Sequence, residues 1–385
     1  MLGFVSMFMD ISSELIHSLL PVFMVSTLGA SALAVGLVEG AAEATALITK
    51  VFSGTLSDYL GKRKGLAVFG YGLGAVSKPF FAMATGVPSI LAARFMDRIG
   101  KGMRGAPRDA LVADLTPESI RGAAYGLRQS LDTIGAFLGP LLAMALMIAY
   151  SGNFRAVFWF AVIPGALSVL LLIFGVHEPD SAGSGGKARS PIHWSALKEL
   201  DNAYWWVVVV GAIFTLARFS EAFLILRARQ SGLPVALTPA VLVLMNVVYA
   251  LAAYPIGKLS DGMDKRSLLA CGLIVLLAAD VALAKAGSPT IVAVGVALWG
   301  LHMGITQGLL ATMVAATAPA GLRGTAFGFF NLASGIAMLV ASGLAGFLWD
   351  RAGAPFTFYA GALFSAAGLI LLTIHRIAEW PRRAA

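Results

Sequence analysis

The sequence predicts an all-α polytopic membrane protein, with twelve transmembrane helices arranged as two pseudo-symmetric six-helix bundles. Three observations predict this. The 385 residues are 58% hydrophobic and only 12% charged, with a mean hydropathy of +0.83, whereas a soluble globular chain carries about 25% charged residues. No soluble core hides so much apolar sequence beneath so little polar covering. The apolar residues also fall into runs of crossing length, and short motifs recur at a nearly constant offset.

A helix needs about 20 apolar residues to cross ~30 Å of hydrocarbon. Such runs lie near 2–28, 31–56, 65–85, 88–113, 120–150 and 154–176, and again near 203–230, 236–259, 267–286, 289–317, 322–350 and 354–378. Lipid offers no partners for backbone polar groups, so these runs are helices and not open sheet. The first run begins without a basic segment and carries Asp10 and Glu14, so it reads as a membrane helix and not as a removable signal. Residues 177–202 form the longest polar stretch. Its Ser181-Ala-Gly-Ser-Gly-Gly186 has the composition of a flexible linker, and His193–Leu200 is expected as a short surface helix. The linker separates a bundle over 1–176 from a bundle over 203–385.

Loop charge predicts the orientation. Lys62, Arg63 and Lys64, then Arg121, Lys187, Arg189, Lys198, Lys265, Arg266, Arg323, Arg376, Arg382 and Arg383 fall on one side, while the loops near 26–32, 85–89 and 231–238 have no Lys or Arg. This bias places both termini in the cytoplasm, with Arg155 and Arg351 as minority exceptions. The formal net charge of +8 is therefore a topological signal and not a nucleic-acid face. Cys271, the single cysteine, excludes an intrachain disulfide and reads as a small buried apolar residue.

The halves repeat each other. Gly54-Thr-Leu-Ser-Asp58 recurs as Gly257-Lys-Leu-Ser-Asp261, and Pro117-Glu-Ser-Ile-Arg-Gly122 as Pro319-Ala-Gly-Leu-Arg-Gly324, with shifts of 203 and 202. Ser13-Glu14 is matched to Ser220-Glu221 at a shift of 207. Two parallel repeats of six helices account for the pattern.

These residues resemble the major facilitator superfamily along the whole chain. Gly54-Thr-Leu-Ser-Asp-Tyr-Leu-Gly-Lys-Arg-Lys64 resembles its cytoplasmic loop signature, and Arg94 to Ala106 its Arg-x-x-x-Gly motif. In that motif, spacing back from Arg121 selects Arg94, whereas the local Arg98-Ile-Gly-Lys-Gly102 selects Arg98. Gly135-Ala-Phe-Leu-Gly-Pro140 resembles the exporter motif Gly-x-x-x-Gly-Pro, but Leu141-Leu-Ala143 replace the paired glycines that usually follow. The string Asp97 to Asp109 is similar to a bacterial subgroup associated with efflux, including metal resistance. The resemblance implies a monomeric secondary transporter of the inner membrane. It would move a small molecule or ion by alternating access, with a proton gradient as its energy source and no cofactor.

Charged residues inside spans cost ~2.5–3.5 kcal/mol each at mid-bilayer, so they are expected to face a wet cavity or one another. In span one, Asp10, Glu14 and His17 share a face. Glu14 is the leading proton carrier, with Asp10, Glu221 and Asp132 as further coupling candidates. Asp10, Glu14 and His17 are also the candidate metal ligands of an alternative metal or metal-chelate efflux reading. Glu43 is expected to pair with a cavity base, while Glu39, nearer the outer edge, is either a cavity group or simply solvated. Span four carries Arg94, Asp97, Arg98 and Lys101 on one face, and Asp97 and Arg98 are expected to pair with Asp132 or Glu14. His17, Arg128, Arg218, Asn246, Tyr249, His302, Gln307 and Asn331 complete the cavity candidates. The gating candidates are Gly54, Asp58, Gly61, Gly139, Pro140 and Asp261, with Arg108 or Arg121 as the partner of Asp58. No nucleotide-binding loop, zinc-protease helix or nucleophile elbow appears, so an enzyme is not expected. Uptake, uniport or a non-transporting receptor on the same scaffold remain the other readings.

Overall fold

The protein is described by a computed structural model, which covers residues 1–60, 63–177, 199–260, 263–319 and 322–374. The helices are α1 (Leu2–His17), α2 (Leu20–Ser26), α3 (Ala32–Leu60), α4 (Arg63–Met83), α5 (Val87–Leu115), α6 (Arg121–Ala149), α7 (Phe154–Phe160), α8 (Val162–Gly175), α9 (Asn202–Ala217), α10 (Ala222–Gln230), α11 (Ala240–Ser260), α12 (Lys265–Ala284), α13 (Pro289–Thr317), α14 (Arg323–Ala352) and α15 (Ala354–Ile374). Three pairs, α1 with α2, α7 with α8 and α9 with α10, each form one broken span. Among the described residues eleven helical runs are long and apolar enough to cross a bilayer. The twelfth by position, α5, carries too many charges to qualify: Arg94, Asp97, Arg98, Lys101, Arg104, Arg108, Asp109 and Asp114. Most of the expected linker, 178–198, lies outside the described residues.

The breaks have local causes. Pro21 lacks an N–H and its ring collides with the carbonyl four residues back, that of His17, so α1 ends there. Pro164 acts in the same way on Phe160, where α7 ends. The α9–α10 break has no proline; instead the Ser220 amide leaves its helix and donates to Ser342 Oγ of α14, at 3.1 Å. Ser18 and Ser220 thus mark equivalent breaks at a shift of 202. That corrects the Ser13-Glu14 match: the carboxylate equivalent to Glu14 is absent from α9, where Leu216 stands, and Glu221 sits at the break itself.

In the first half α1 lies on α6 and α8, and α5 on α3 and α4. In the second, α12 lies on α13 and α15, and α9 on α14 and α15. Lipid is as apolar as a leucine core, so close packing holds the helices together, and small residues permit it. A Cβ on Gly135 would stand 2.6 Å from the Met7 carbonyl, and one on Gly139 2.8 Å from Glu14 Cβ. Gly139 and Pro140 are buried within an unbroken α6, so this motif serves close approach to α1. Large apolar side chains such as Phe174, Leu251 and Leu363 cover the outer surface. Cys271 is exposed on this surface of α12, contrary to its expected burial.

The halves meet chiefly where α3 crosses α14, with lesser contacts of α2 with α10 and α6 with α11. The α3–α14 seam is glycine-lined: Gly36 abuts Ser342, Gly40 lies against Leu339, and Gly346 against Ala32 and Leu33. At its tip the Asp350 carboxylate accepts from the amides of Ala32 (3.0 Å) and Leu33 (2.8 Å), closing the α3 N-terminus from the other half. All of this lies toward the end that holds residues 27–31. Toward the opposite end α6 is largely exposed or half-buried from Gly122 to Thr133. Near the closed end, the Arg155 guanidinium donates to the carbonyls of Ala82 and Ala84, at the end of α4. Arg227 does the same for Leu283, Ala284 and Ala286 at the end of α12. Arg155 is thus explained by helix capping, which overrides its topological cost.

Candidate functional site

The charges of the first half assemble into a network centred on α5. Arg94 pairs with Glu39 of α3 and lies 4.0 Å from Asp97. Asp97 accepts from Lys78 Nζ of α4 at 2.6 Å, and the same ammonium donates to Ser13 Oγ at 2.9 Å. Arg98 faces Glu43 at 3.3 Å and Asp97 at 3.8 Å. His17 stands between Glu14 (3.4 Å) and Glu39 (3.5 Å) through its two ring nitrogens. A continuous chain therefore runs from Glu14 through His17, Glu39 and Arg94 to Asp97, where it branches to Lys78 and Arg98.

Exposure divides this chain. The side chains of Glu39, Lys78, Asp97, Arg94 and Arg98 are at most 5% exposed, whereas Glu14 is 21% and Glu43 34% exposed. Four carboxylates, those of Glu14, Glu39, Glu43 and Asp97, meet three fixed cations, Lys78, Arg94 and Arg98. The deeply buried members, Glu39 and Asp97 against Lys78, Arg94 and Arg98, carry one excess positive charge, which the partly exposed Glu14 and Glu43 more than offset; Lys101 stands exposed on the same helix. An uncompensated charge buried at this depth is strongly destabilising. The partly exposed carboxylates of Glu14 and Glu43 therefore lie at the water-reachable ends of a buried ionic core.

A second cluster lies further along α5. Arg104 faces Asp10 at 3.6 Å and lies over the Tyr71 ring. Asp132 is held by Arg128 and, at 3.7 Å, by Arg108, which also reaches Asp109 and Ser6. The expected pairing of Asp97 and Arg98 with Asp132 or Glu14 is therefore not formed. Ten residues of helix, ~15 Å, separate Arg98 from Arg108, and Asp132 sits at the level of the latter. Glu39 is fully buried and paired, not solvated. Among the described residues no three His, Cys, Asp or Glu side chains group closely enough to hold a metal ion, so Asp10, Glu14 and His17 do not form a ligand set.

The second half contributes less. Arg218 and Glu221 are half-buried at the α9–α10 break. Asn246, Tyr249 and Asn331 are half-buried on α11 and α14. His302 is not a cavity group: it is 1% exposed, with Nδ1 bonded to the Gly272 carbonyl at 2.8 Å, and it knits α13 to α12. Gln307, Gly54, Asp58, Gly61 and Asp261 lie outside the described residues, or their side chains do. Of the proposed latch partners, Arg108 is engaged as above and Arg121 faces Glu118 at 3.7 Å. Sequence reasoning missed Lys78, whose signal was a lone cation next to Pro79 in an apolar run, and Asp280 of α12.

Comparison with known proteins agrees with this architecture. The sequence model of the Major Facilitator Superfamily matches residues 2–248 and 222–384. An uncharacterized MFS-type transporter of Methanocaldococcus jannaschii is 30% identical over 380 residues, covering 97% of this chain and 94% of the relative. The quinolone resistance protein NorA of Staphylococcus aureus is 28% identical over 203 residues, about half of each chain (52% and 50%). Among solved structures, a POT family transporter in complex with 5-aminolevulinic acid superposes with a TM-score of 0.80 at 13% identity, covering 97% of this chain and 94% of that one.

Proposed function

The chain belongs to the Major Facilitator Superfamily, and on that premise we propose that it exports a small molecule across the cytoplasmic membrane in exchange for protons. The observation that carries this reading is the gradation of exposure along the Glu14–His17–Glu39–Arg94–Asp97 chain. A proton entering this chain reaches it from water at Glu14 and His17, which are more exposed than Glu39, Arg94 and Asp97. Glu43, at the other water-reachable end, lines the path of the substrate, and the buried Arg98 that faces it modulates the charge of the chain. The loop-charge bias supports an orientation with the α3–α14 seam on the outer side, in which the halves are closed outward. Rocking of the halves about the cavity would then open the seam and close the opposite end. Export is supported by the partial likeness to NorA and by the Gly135-to-Pro140 motif.

The test is transport in proteoliposomes under an imposed pH gradient, across a panel of organic compounds and metal ions. The expected result is gradient-driven flux of an organic compound with the natural chain. Glu14→Gln should lose that flux while still exchanging substrate across the membrane without a gradient. Gradient-driven flux that survives in Glu14→Gln removes Glu14 from the coupling role.

A further inference from the structure

Asp280 stands apart from the charge network. It lies on α12 one turn before the helix ends, is fully buried, and neither carboxylate oxygen has a hydrogen-bond partner among the described residues. The backbone of Gly361 and the Phe219 ring lie beside it, and the buried Trp299 Nε1 and Ser365 Oγ on the neighbouring helices form no hydrogen bond to it. A Cβ on Gly361 of α15 would stand 2.6 Å from Asp280 Oδ2 and 3.0 Å from the Phe219 ring. Phe219, in the α9–α10 break, packs against Trp299 of α13 (5.4 Å), Phe358 of α15 (5.6 Å) and Phe223 of α10 (5.6 Å). Among the described residues no charged group on the neighbouring elements pairs with it: Arg218 and Glu221 flank Phe219 half-buried in the α9–α10 break, and Lys285 is exposed past the end of α12. His302 of α13 is bonded to Gly272, and Arg227 of α10 to the carbonyls that follow Asp280. Tyr359 of α15 is on the outer surface.

An ionised carboxylate without a partner in such surroundings costs so much that the group takes up a proton instead. A merely structural aspartate would hold a bond; this one holds none. Its apolar cover connects to the seam between the halves. Phe223 and Phe358 pack on Trp349 (5.7 and 6.3 Å), the residue before the Asp350 that clamps α3. Opening the seam moves α14 against α3 and disturbs the aromatic cover at its edge.

We propose that Asp280 is a second proton-binding site, occluded with its proton while the α3–α14 seam is closed and exchanging it with water when the seam opens. The site rests on the proton-coupled reading above but uses a different helix and a different half. Uptake and release of that proton both await an open seam, so the second half carries its own link between protonation and closure.

The experiment uses the full chain in nanodiscs and needs no substrate. Infrared spectroscopy at neutral pH should show a protonated-carboxyl carbonyl band that is slow to exchange in heavy water, lost in Asp280→Asn and moved in Asp280→Glu. In a Cys271→Ser background, spin labels at Thr85→Cys and Gly287→Cys, on the closed-end loops of the two halves, should report an open population that changes with pH. The pH midpoint should shift in Asp280→Asn, and the shift should be present whether or not Glu14→Gln is also introduced. A band and a midpoint unchanged in Asp280→Asn overturn the proposal. If Asp280→Asn does not fold, a band that does not move in Asp280→Glu overturns it equally. If Glu14→Gln keeps gradient-driven flux while the Asp280 band and midpoint behave as expected, the Glu14 reading fails and the Asp280 site stands.

Discussion

In the first half, every deeply buried charge of the α3–α4–α5 core faces an opposite charge: Lys78 on Asp97, Arg94 on Glu39, Arg98 on Glu43 and Asp97. In the second, the one fully buried carboxylate, Asp280, faces none among the described residues, and its surroundings are aromatic. The two repeats share their helix order and equivalent breaks at Ser18 and Ser220, so the difference is chemical and not architectural. It teaches that one scaffold accommodates a dense ionic core and a dry apolar one. On the proposed reading, the ionic half would move charge through a connected set of partners and the apolar half would trap it.

Removing a buried ionisable group should have opposite signs in the two halves, and that is the sharpest way to break the comparison. Lys78→Met leaves Asp97 without its ammonium and should destabilise the protein by about 3–5 kcal/mol. Thermal unfolding in detergent measures this, and Lys78→Met combined with Asp97→Asn should recover most of the loss. Asp280→Leu removes an unpartnered polar group from an apolar site and should leave stability unchanged or raise it, by up to about 1–3 kcal/mol. The same unfolding assay reads it, and a large loss of stability would mean that Asp280 has a partner after all. Asp350→Ala removes the cap on α3 and should cost about 1 kcal/mol of seam closure, read as increased labelling of a cysteine placed in the seam. Glu118→Gln, at an exposed pair with Arg121, should stay within about 0.5 kcal/mol of the natural chain.

Much of this was legible in the sequence, for identifiable reasons. Helix number and order follow from run length, because lipid allows a spanning segment few alternatives. The α5 stripe followed from helical spacing, since residues three and four apart share a face. Which carboxylate each arginine meets was not legible, because pairing depends on how far one helix is displaced along another, and that is set by glycine contacts such as Gly102 against Ala46 and Thr49. The break after His17 was announced by Pro21, while the break at Ser220 depends on Ser342, a residue 122 positions away. Asp280 escaped notice because it belongs to no stripe; its meaning comes from what does not surround it.

The bond between Asp350 and the first amides of α3 joins the halves at the rim and not in the depth of the bilayer. When the halves part there, water is at hand to satisfy both the carboxylate and the two amides, so little free energy is forfeited. When they return, only one sliding position of α3 along α14 offers the carboxylate both amides again. The contact therefore behaves as an indexing pin, cheap to withdraw and strict about where it reseats, and each cycle ends in the same alignment as the last.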